Sequence, residues 1–146
     1  MGASASFGVC YLGLSREAAF AESFLHPRIR VISRAAVDAR AMTSVATSRP
    51  LQLVTLHGPG LAAVGAAAAV THGPHATARR WARALWRHPA RPDGLAYRCR
   101  HDDDELAVAL FDHAVDALTE VARLGPRADL PWFGRTLDRY RLALEE

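Results

Sequence analysis

Residues 7–25 read FGVCYLGLSREAAFAESFL and predict a strand followed directly by a helix. The run FGVCYL at 7–12 is rich in residue types that favour strands. Ser15 is a preferred helix N-cap, and Glu17 puts a carboxylate in the first helical turn, where the helix dipole stabilises it. Glu22 shares a helical face with small apolar residues, so we expect it to point inward or toward a cleft.

Residues 92–112 form a second informative stretch, PDGLAYRCRHDDDELAVALFD. The runs GLAYRC at 94–99 and LAVALF at 106–111 are both typical of strands. The acidic run HDDDE at 101–105 lies between them and is expected to be a solvated turn. This stretch therefore predicts a β-hairpin.

Strand and helix signals also alternate elsewhere in the chain. Strands are predicted at 42–47 and 51–56, and helices are predicted to open at 58–60 and to cover 75–88 and 131–140. Residues 26–41 carry scattered apolar positions and stay unassigned. The pattern indicates an α/β (α+β) fold in which helices flank a mixed, split β-sheet.

Composition favours one globular domain over residues 1–146, with 50% apolar and 23% charged residues. The most apolar stretch, 61–70, is far shorter than the ~20 residues that a membrane span needs. The first residues lack the basic start and apolar run of a signal peptide. Cys10 and Cys99 have no CxxC spacing, so we expect two free thiols in a reducing cytoplasm.

The net charge of +3 comes from 18 basic residues, all of them arginine and spread along the chain. A nucleic-acid-binding protein concentrates such charge on one surface, so we expect no direct nucleic-acid partner. In the helix at 75–88, Trp81 and Leu85 lie on one face. The opposite face carries Arg79, Arg80, Arg83 and Arg87. This arrangement is typical of a helix with one packed and one solvated face.

A glycine motif supports an alternative class, a Rossmann-like nucleotide-binding protein. Gly58, Gly60 and Ala63 have the G-x-G-x-x-A spacing of a dinucleotide-binding turn after a predicted strand. However, Pro59 removes a backbone donor between the glycines. Arginines occupy 79–83, where a carboxylate would hold the ribose. The motif therefore indicates the start of a helix more strongly than a nucleotide site.

Metal binding has little support in the sequence. The acidic run at 101–105 lacks the glycine turn and the spaced ligands of a calcium loop. The seven histidines form no HExxH motif, and His72 and His75 have no carboxylate beside them. We expect no metal site.

The two informative stretches together resemble the RES domain, a family of NAD-degrading toxins in bacterial toxin–antitoxin pairs. The first family segment reads Y-L-A-x-S-x-x-x-A-x-x-E, and the second reads D-G-x-x-Y-x-S-R before a strand that ends in Phe. The matching positions are Tyr11, Ser15, Ala19 and Glu22 in the first and Asp93, Gly94, Tyr97, Arg100 and Phe111 in the second. The resemblance is best over 7–111.

The resemblance implies a fold like that of ADP-ribosyltransferase toxins and an activity on NAD. Members break the nicotinamide–ribose bond by phosphorolysis or hydrolysis, or transfer ADP-ribose to a protein. Glu22 and Cys99 would be catalytic, and Tyr11, Tyr97 and Arg100 would bind NAD. NAD would be the substrate, with phosphate as co-substrate in a phosphorolysis and no prosthetic group. The implied partner is an Xre-like antitoxin with a helix-turn-helix region, in a homo-oligomer or a toxin–antitoxin hetero-oligomer.

Elementary chemistry agrees with these roles. Cleavage of an N-glycosidic bond builds positive charge on the ribose, which a carboxylate such as Glu22 stabilises. A tyrosine ring stacks on nicotinamide, and an arginine binds phosphates by paired hydrogen bonds.

The chain departs from the family pattern at two positions. Cys99 stands where the family has Ser, and a thiol is a weaker hydrogen-bond donor and acceptor than a hydroxyl. The family's Arg would fall on or before Met1, so its segment is expected to be missing. These departures predict slow turnover. They also leave open a degenerate, inactive RES domain that only binds antitoxin, or binds NAD weakly.

Overall fold

A four-stranded mixed sheet forms the centre of the fold in the computed structural model, which describes residues 7–67 and 69–146. The strands are β1 (Val9–Gly13), β2 (Val31–Ser33), β3 (Met42–Thr47), β4 (Leu53–Leu56), β5 (Gly94–Cys99), β6 (Asp102–Phe111), β7 (Leu118–Leu124) and β8 (Ala143–Glu145). The helices are α1 (Arg16–Phe24), α2 (Arg34–Asp38), α3 (Pro59–Ala63), α4 (Ala69–His72), α5 (His75–Trp86) and α6 (Leu130–Tyr140), with a 3₁₀ helix at Asp112–Ala117. The predicted mixed α/β fold is confirmed.

The central sheet has the strand order β1-β6-β5-β4. β6 pairs antiparallel with both β1 and β5, whereas β4 runs parallel to β5. Two smaller sheets lie outside it, a parallel pair of β2 and β8 and an antiparallel pair of β3 and β7. The central sheet is therefore mixed, and the other strands form separate smaller sheets.

The predicted hairpin is confirmed as β5 and β6, but the predicted acidic turn is wrong. β6 begins at Asp102, so the turn consists of Arg100 and His101 and most of the acidic run belongs to the strand. The strand tolerates these charges because Asp102 and Glu105 both bind Arg139 from α6. The ion pairs with Arg139, which is distant in the sequence, thus allow β6 to include most of the acidic run.

Strands at 42–47 and 51–56 are confirmed, although β4 starts two residues late, at Leu53. They do not pair with each other: β3 pairs with β7 and β4 with β5. The helix predicted to open at 58–60 is the five-residue α3. The unassigned stretch 26–41 contains β2 and α2.

Helix α1 follows β1 as predicted, and Ser15 is its N-cap, accepting a hydrogen bond from the Ala18 N–H at 2.9 Å. Gly13 lets the helix approach the strand end closely. A Cβ at this position would lie 2.9 Å from the Ser15 carbonyl oxygen and against the Ala19 nitrogen. α1 is thus held directly against the sheet.

Antiparallel pairing places Tyr11 of β1 and Tyr97 of β5 on one face of the sheet, because their partners on β6, Ala109 and Ala107, are two residues apart. The core on this face contains Leu56, Val70, Leu95, Ala109 and Phe111, packed by side chains of α3 and α5. Another core around Phe20 joins α1 to α6 through Val37, Trp132, Phe133 and Leu142. The face bearing Tyr11 and Tyr97 is thus covered by different elements at its two ends.

No helix in residues 7–67 and 69–146 is long and apolar enough to cross a membrane.

Candidate active site

The carboxylate of Glu22 lies one helical turn beyond Ala18, at the end of α1 that approaches the β5–β6 turn. Ala18 is buried against Cys99 and Ala107 and brings the helix onto the sheet. The Arg100 backbone N–H donates a hydrogen bond to Glu22 Oε1 at 3.2 Å. Glu22 is otherwise exposed to solvent, so its charge faces an open surface rather than the core.

Cys99 lies beneath this carboxylate and is completely buried. Burial raises the pKa of its thiol to about 12, and the charge of Glu22 and a hydrogen bond to it add to the effect. The thiol therefore stays protonated at neutral pH and is a poor nucleophile. Cys10 is also free and packs against Leu110 and Val108 on the other face of the sheet.

Tyr97 precedes Cys99 on the same face of β5 and is half-buried. Burial raises the pKa of its hydroxyl, and the nearby Glu22 and Tyr11 raise it further. Tyr97 therefore keeps its proton and interacts with the same carboxylate as Cys99. The neutral hydroxyl of Tyr97, the neutral thiol of Cys99 and the Arg100 N–H thus lie close to Glu22.

Tyr11 lies at the rim of this arrangement. It is on β1, near Tyr97, and 69% of its surface is exposed. This exposure leaves the Tyr11 ring accessible for stacking.

Arg100 contributes its backbone to Glu22 and its side chain to a neighbouring hollow. The hollow has a volume of about 310 Å³ and is lined by His72, Arg100, His101, Asp102 and Asp103. The Asp102 charge is already compensated by Arg139. The guanidinium of Arg100 makes no ion pair within residues 7–67 and 69–146 and is exposed.

All five residues singled out in the sequence therefore belong to one cluster: Tyr11, Glu22, Tyr97, Cys99 and Arg100. Sequence reasoning missed the two histidines of the hollow, because His101 belongs to a run that we read as a solvated turn. His72 comes from α4 and is brought there only by the crossover between β4 and β5.

Asp93 was matched to the family pattern without a stated role, and its contacts are structural. Its buried carboxylate accepts two hydrogen bonds from the Arg49 guanidinium, at 2.8 and 2.9 Å, and one from the Gln52 N–H at 2.7 Å. These bonds join the start of β5 to the loop before β4. Asp93 thereby fixes the parallel pairing that shapes this side of the sheet.

Metal ligands are not grouped in the part of the chain that the structure describes: no three or more His, Cys, Asp or Glu side chains there could hold an ion.

The fold is a mixed α/β domain in which a carboxylate lies between a β-hairpin and a helix. The chain belongs to the RES domain family, which it matches over residues 3–132. It is also similar to the protein named "Probable toxin y4kH" of Sinorhizobium fredii. The two are 36% identical over 87 residues, which cover 59% of this chain and 67% of that protein. No solved structure matches the chain.

Proposed function

We propose that this protein is the toxin of a toxin–antitoxin pair and acts by breaking the nicotinamide–ribose bond of NAD. The observation that carries the proposal is the Glu22 carboxylate, exposed at a cleft and contacted by the Arg100 N–H. Membership of the RES domain family and the similarity to a protein named as a toxin support the toxin role.

The reaction requires a negative charge beside the ribose. As the bond from nicotinamide N1 to ribose C1′ breaks, its electron pair leaves with nicotinamide and the ribose becomes an oxocarbenium ion. Glu22 stabilises that ion electrostatically, which is the effect that fixed charges supply most strongly in catalysis. In hydrolysis the oxygen of water then bonds to C1′ and its proton passes to the solvent. In phosphorolysis an unprotonated oxygen of phosphate bonds to C1′ instead.

The other cleft residues have binding roles in this proposal. The exposed Tyr11 ring stacks on the nicotinamide, and the protonated Tyr97 and Cys99 hold Glu22 in place. The unpaired Arg100 guanidinium binds the substrate's phosphates in the hollow shared with His72 and His101. Since NAD is abundant in the cytoplasm, we propose that the protein acts there.

An antitoxin would neutralise the protein by covering this cleft. The proposal predicts that a bacterial cell producing the chain alone stops growing while its NAD falls, and that production of the antitoxin restores growth. An Xre-like partner with a helix-turn-helix region is the expected type. The binding site of the antitoxin can be tested by capturing it on the wild-type protein. If the antitoxin covers the cleft, NAD analogues that fill the cleft should release it.

The direct test is nicotinamide release by the purified protein, with and without added phosphate. Glu22→Gln should reduce the rate on the order of 10²- to 10³-fold, as expected for loss of one preorganised charge from the transition state. Glu120→Gln is the matched control, because Glu120 is an exposed carboxylate in an ion pair on β7. A rate that depends on phosphate indicates phosphorolysis. A rate that is independent of phosphate indicates hydrolysis or transfer.

A member that binds without turnover is the second candidate, and Cys99 in place of the family's Ser is the observation that favours it. In that case NAD would bind, as calorimetry would detect, but no nicotinamide would be released. Nicotinamide release by wild type that Glu22→Gln leaves unchanged would contradict both candidates as accounts of this cleft.

A further inference from the structure

We propose that Arg139 and Tyr140, at the end of α6, are positioning residues that hold Glu22 against the Arg100 backbone. The inference rests on the proposed function of the cleft. Neither residue touches the cleft, so they act through a set of contacts that we call the α6 network: Ser15, Asp102, Glu105, Arg139 and Tyr140. The network connects α6 to both elements that meet at Glu22.

One side of the α6 network holds the β5–β6 turn. Arg139 Nη2 donates to Asp102 Oδ2 at 2.8 Å and to Glu105 Oε1 at 2.9 Å. The Tyr140 hydroxyl donates to the same Asp102 oxygen at 2.7 Å. Asp102 is two residues beyond Arg100, so these bonds fix the end of the turn whose N–H contacts Glu22.

The other side holds α1, the helix that carries Glu22. Glu105 accepts a hydrogen bond from the Ser15 hydroxyl at 2.5 Å, and Ser15 is the N-cap of α1. The Tyr140 ring stacks on Phe20 in the middle of the same helix, with centroids 5.9 Å apart and planes 3° apart. α6 thus reaches the start of α1 through Glu105 of β6 and contacts the centre of α1 directly.

The charges of the network make Arg139 the critical member. The side chains of Asp102 and Glu105 are only 10% and 17% exposed, and both share the one guanidinium. Without Arg139 two carboxylates would face each other with little solvent screening and would repel. Burial and the bond to Asp102 raise the pKa of Tyr140, which therefore remains a donor at neutral pH.

Glu22 depends on this arrangement because its neighbours belong to another element. It is exposed, and the backbone N–H that contacts it comes from Arg100 at the β5–β6 turn. A shift of α1 relative to the turn would therefore move the carboxylate away from the reacting ribose. Misplacement of a catalytic group by roughly 1 Å costs on the order of 10²-fold in rate.

The test compares three variants of the full chain. Arg139→Gln removes the shared charge, Arg139→Lys keeps it, and Tyr140→Phe keeps the ring that stacks on Phe20 while removing the hydroxyl. Arg127→Gln is the matched control, because Arg127 forms a comparable ion pair with Asp38 that contacts neither α1 nor the turn. Tyr140→Phe is expected to fold, since it retains the apolar contacts of the ring.

The first readout is the Arg100 backbone amide, followed by NMR chemical shift and hydrogen exchange relative to the amides in the middle of β6. It needs no NAD. We expect a changed shift and faster exchange in Arg139→Gln and Tyr140→Phe, recovery in Arg139→Lys and no change in Arg127→Gln. An Arg100 amide that is unchanged in both Arg139→Gln and Tyr140→Phe would overturn the proposal.

The second readout is the split between kcat and KM for nicotinamide release. Arg139→Gln should lower kcat on the order of 10²-fold because Glu22 is displaced. It should also raise KM, because Asp102 at the hollow proposed for the phosphates loses its compensating charge. A fall in kcat shared by Arg127→Gln would mean general destabilisation and would contradict a positioning role. If wild type releases no nicotinamide, the proposed function fails, while the amide readout still decides the positioning of Glu22.

Discussion

Glu22 and Arg100 are 78 residues apart in the sequence and are joined by a hydrogen bond of 3.2 Å from the Arg100 N–H to Glu22 Oε1. The donor is a backbone group at a tight turn, so its place is set by the β5–β6 hairpin and not by a flexible side chain. The acceptor is carried by α1. This one contact connects the two segments from which the family resemblance was read.

Glu22→Gln should lower the pKa of Cys99 from about 12. The pKa is raised first by burial and next by the charge of Glu22, so a neutral amide removes the second cause and leaves the first. The shift should be visible in the ultraviolet absorbance of the thiolate during an alkaline titration of a Cys10→Ser background. Glu120→Gln, with its carboxylate on β7, should leave the titration where it is.

Cys99→Ser should raise the rate of nicotinamide release. A hydroxyl donates a stronger hydrogen bond to Glu22 than a thiol does, and a gain of about 1 kcal/mol corresponds to roughly fivefold in rate. Cys10→Ser is the control, since Cys10 packs on the opposite face of the sheet. A slower Cys99→Ser enzyme of unchanged stability would mean that the thiol has a chemical role of its own.

Gly13→Ala should destabilise the fold by about 2 kcal/mol or more, because the new Cβ meets the backbone of α1. The same substitution at Gly134, which lies within α6 and has open space around it, should stabilise the protein by up to about 1 kcal/mol. Urea unfolding of both variants measures the contrast. Equal effects would mean that α1 is not pressed against β1 at Gly13.

Asp93→Asn should reduce the free energy of unfolding at neutral pH. It should also make that free energy depend less on pH in the acid range. The hydrogen bonds from Arg49 lower the pKa of Asp93 below 3.8, against the opposing effect of burial, and the Gln52 N–H lowers it further. A carboxyl whose folded pKa is depressed stabilises the fold above its unfolded pKa, and this stability is lost as the pH falls below that value.

The measurement for Asp93 is the free energy of unfolding from urea titrations between about pH 7 and pH 2, a range that spans the unfolded pKa of aspartate. Wild type should lose stability more steeply than Asp93→Asn below about pH 4, where the unfolded carboxyl binds its proton. Asp103→Asn is a suitable control, since Asp103 is exposed. Parallel curves for wild type and Asp93→Asn would mean that pairing with Arg49 does not lower the pKa of Asp93.

Much of the local structure could be predicted because it depends on neighbouring residues. The Ser15 cap, the strand–helix unit of β1 and α1 and the pairing of β5 with β6 all follow from propensities and spacings within about twenty residues. The same local periodicity places Tyr97 and Cys99 on one face of β5 and puts Glu22 one helical turn after Ala18 on α1. Family resemblance added the expectation that these segments meet.

Other features depend on contacts between distant parts of the chain, and periodicity carries no signal for them. The acidic run 101–105 was read as a turn because its charges favour water. It continues as strand because Arg139, 37 residues after Asp102, compensates those charges. The pKa of Cys99, the hollow beside Arg100 and the support of α1 by α6 likewise arise from packing of separate elements. Local sequence sets which conformations are favourable, but burial and long-range charge pairing decide which of them the folded chain keeps.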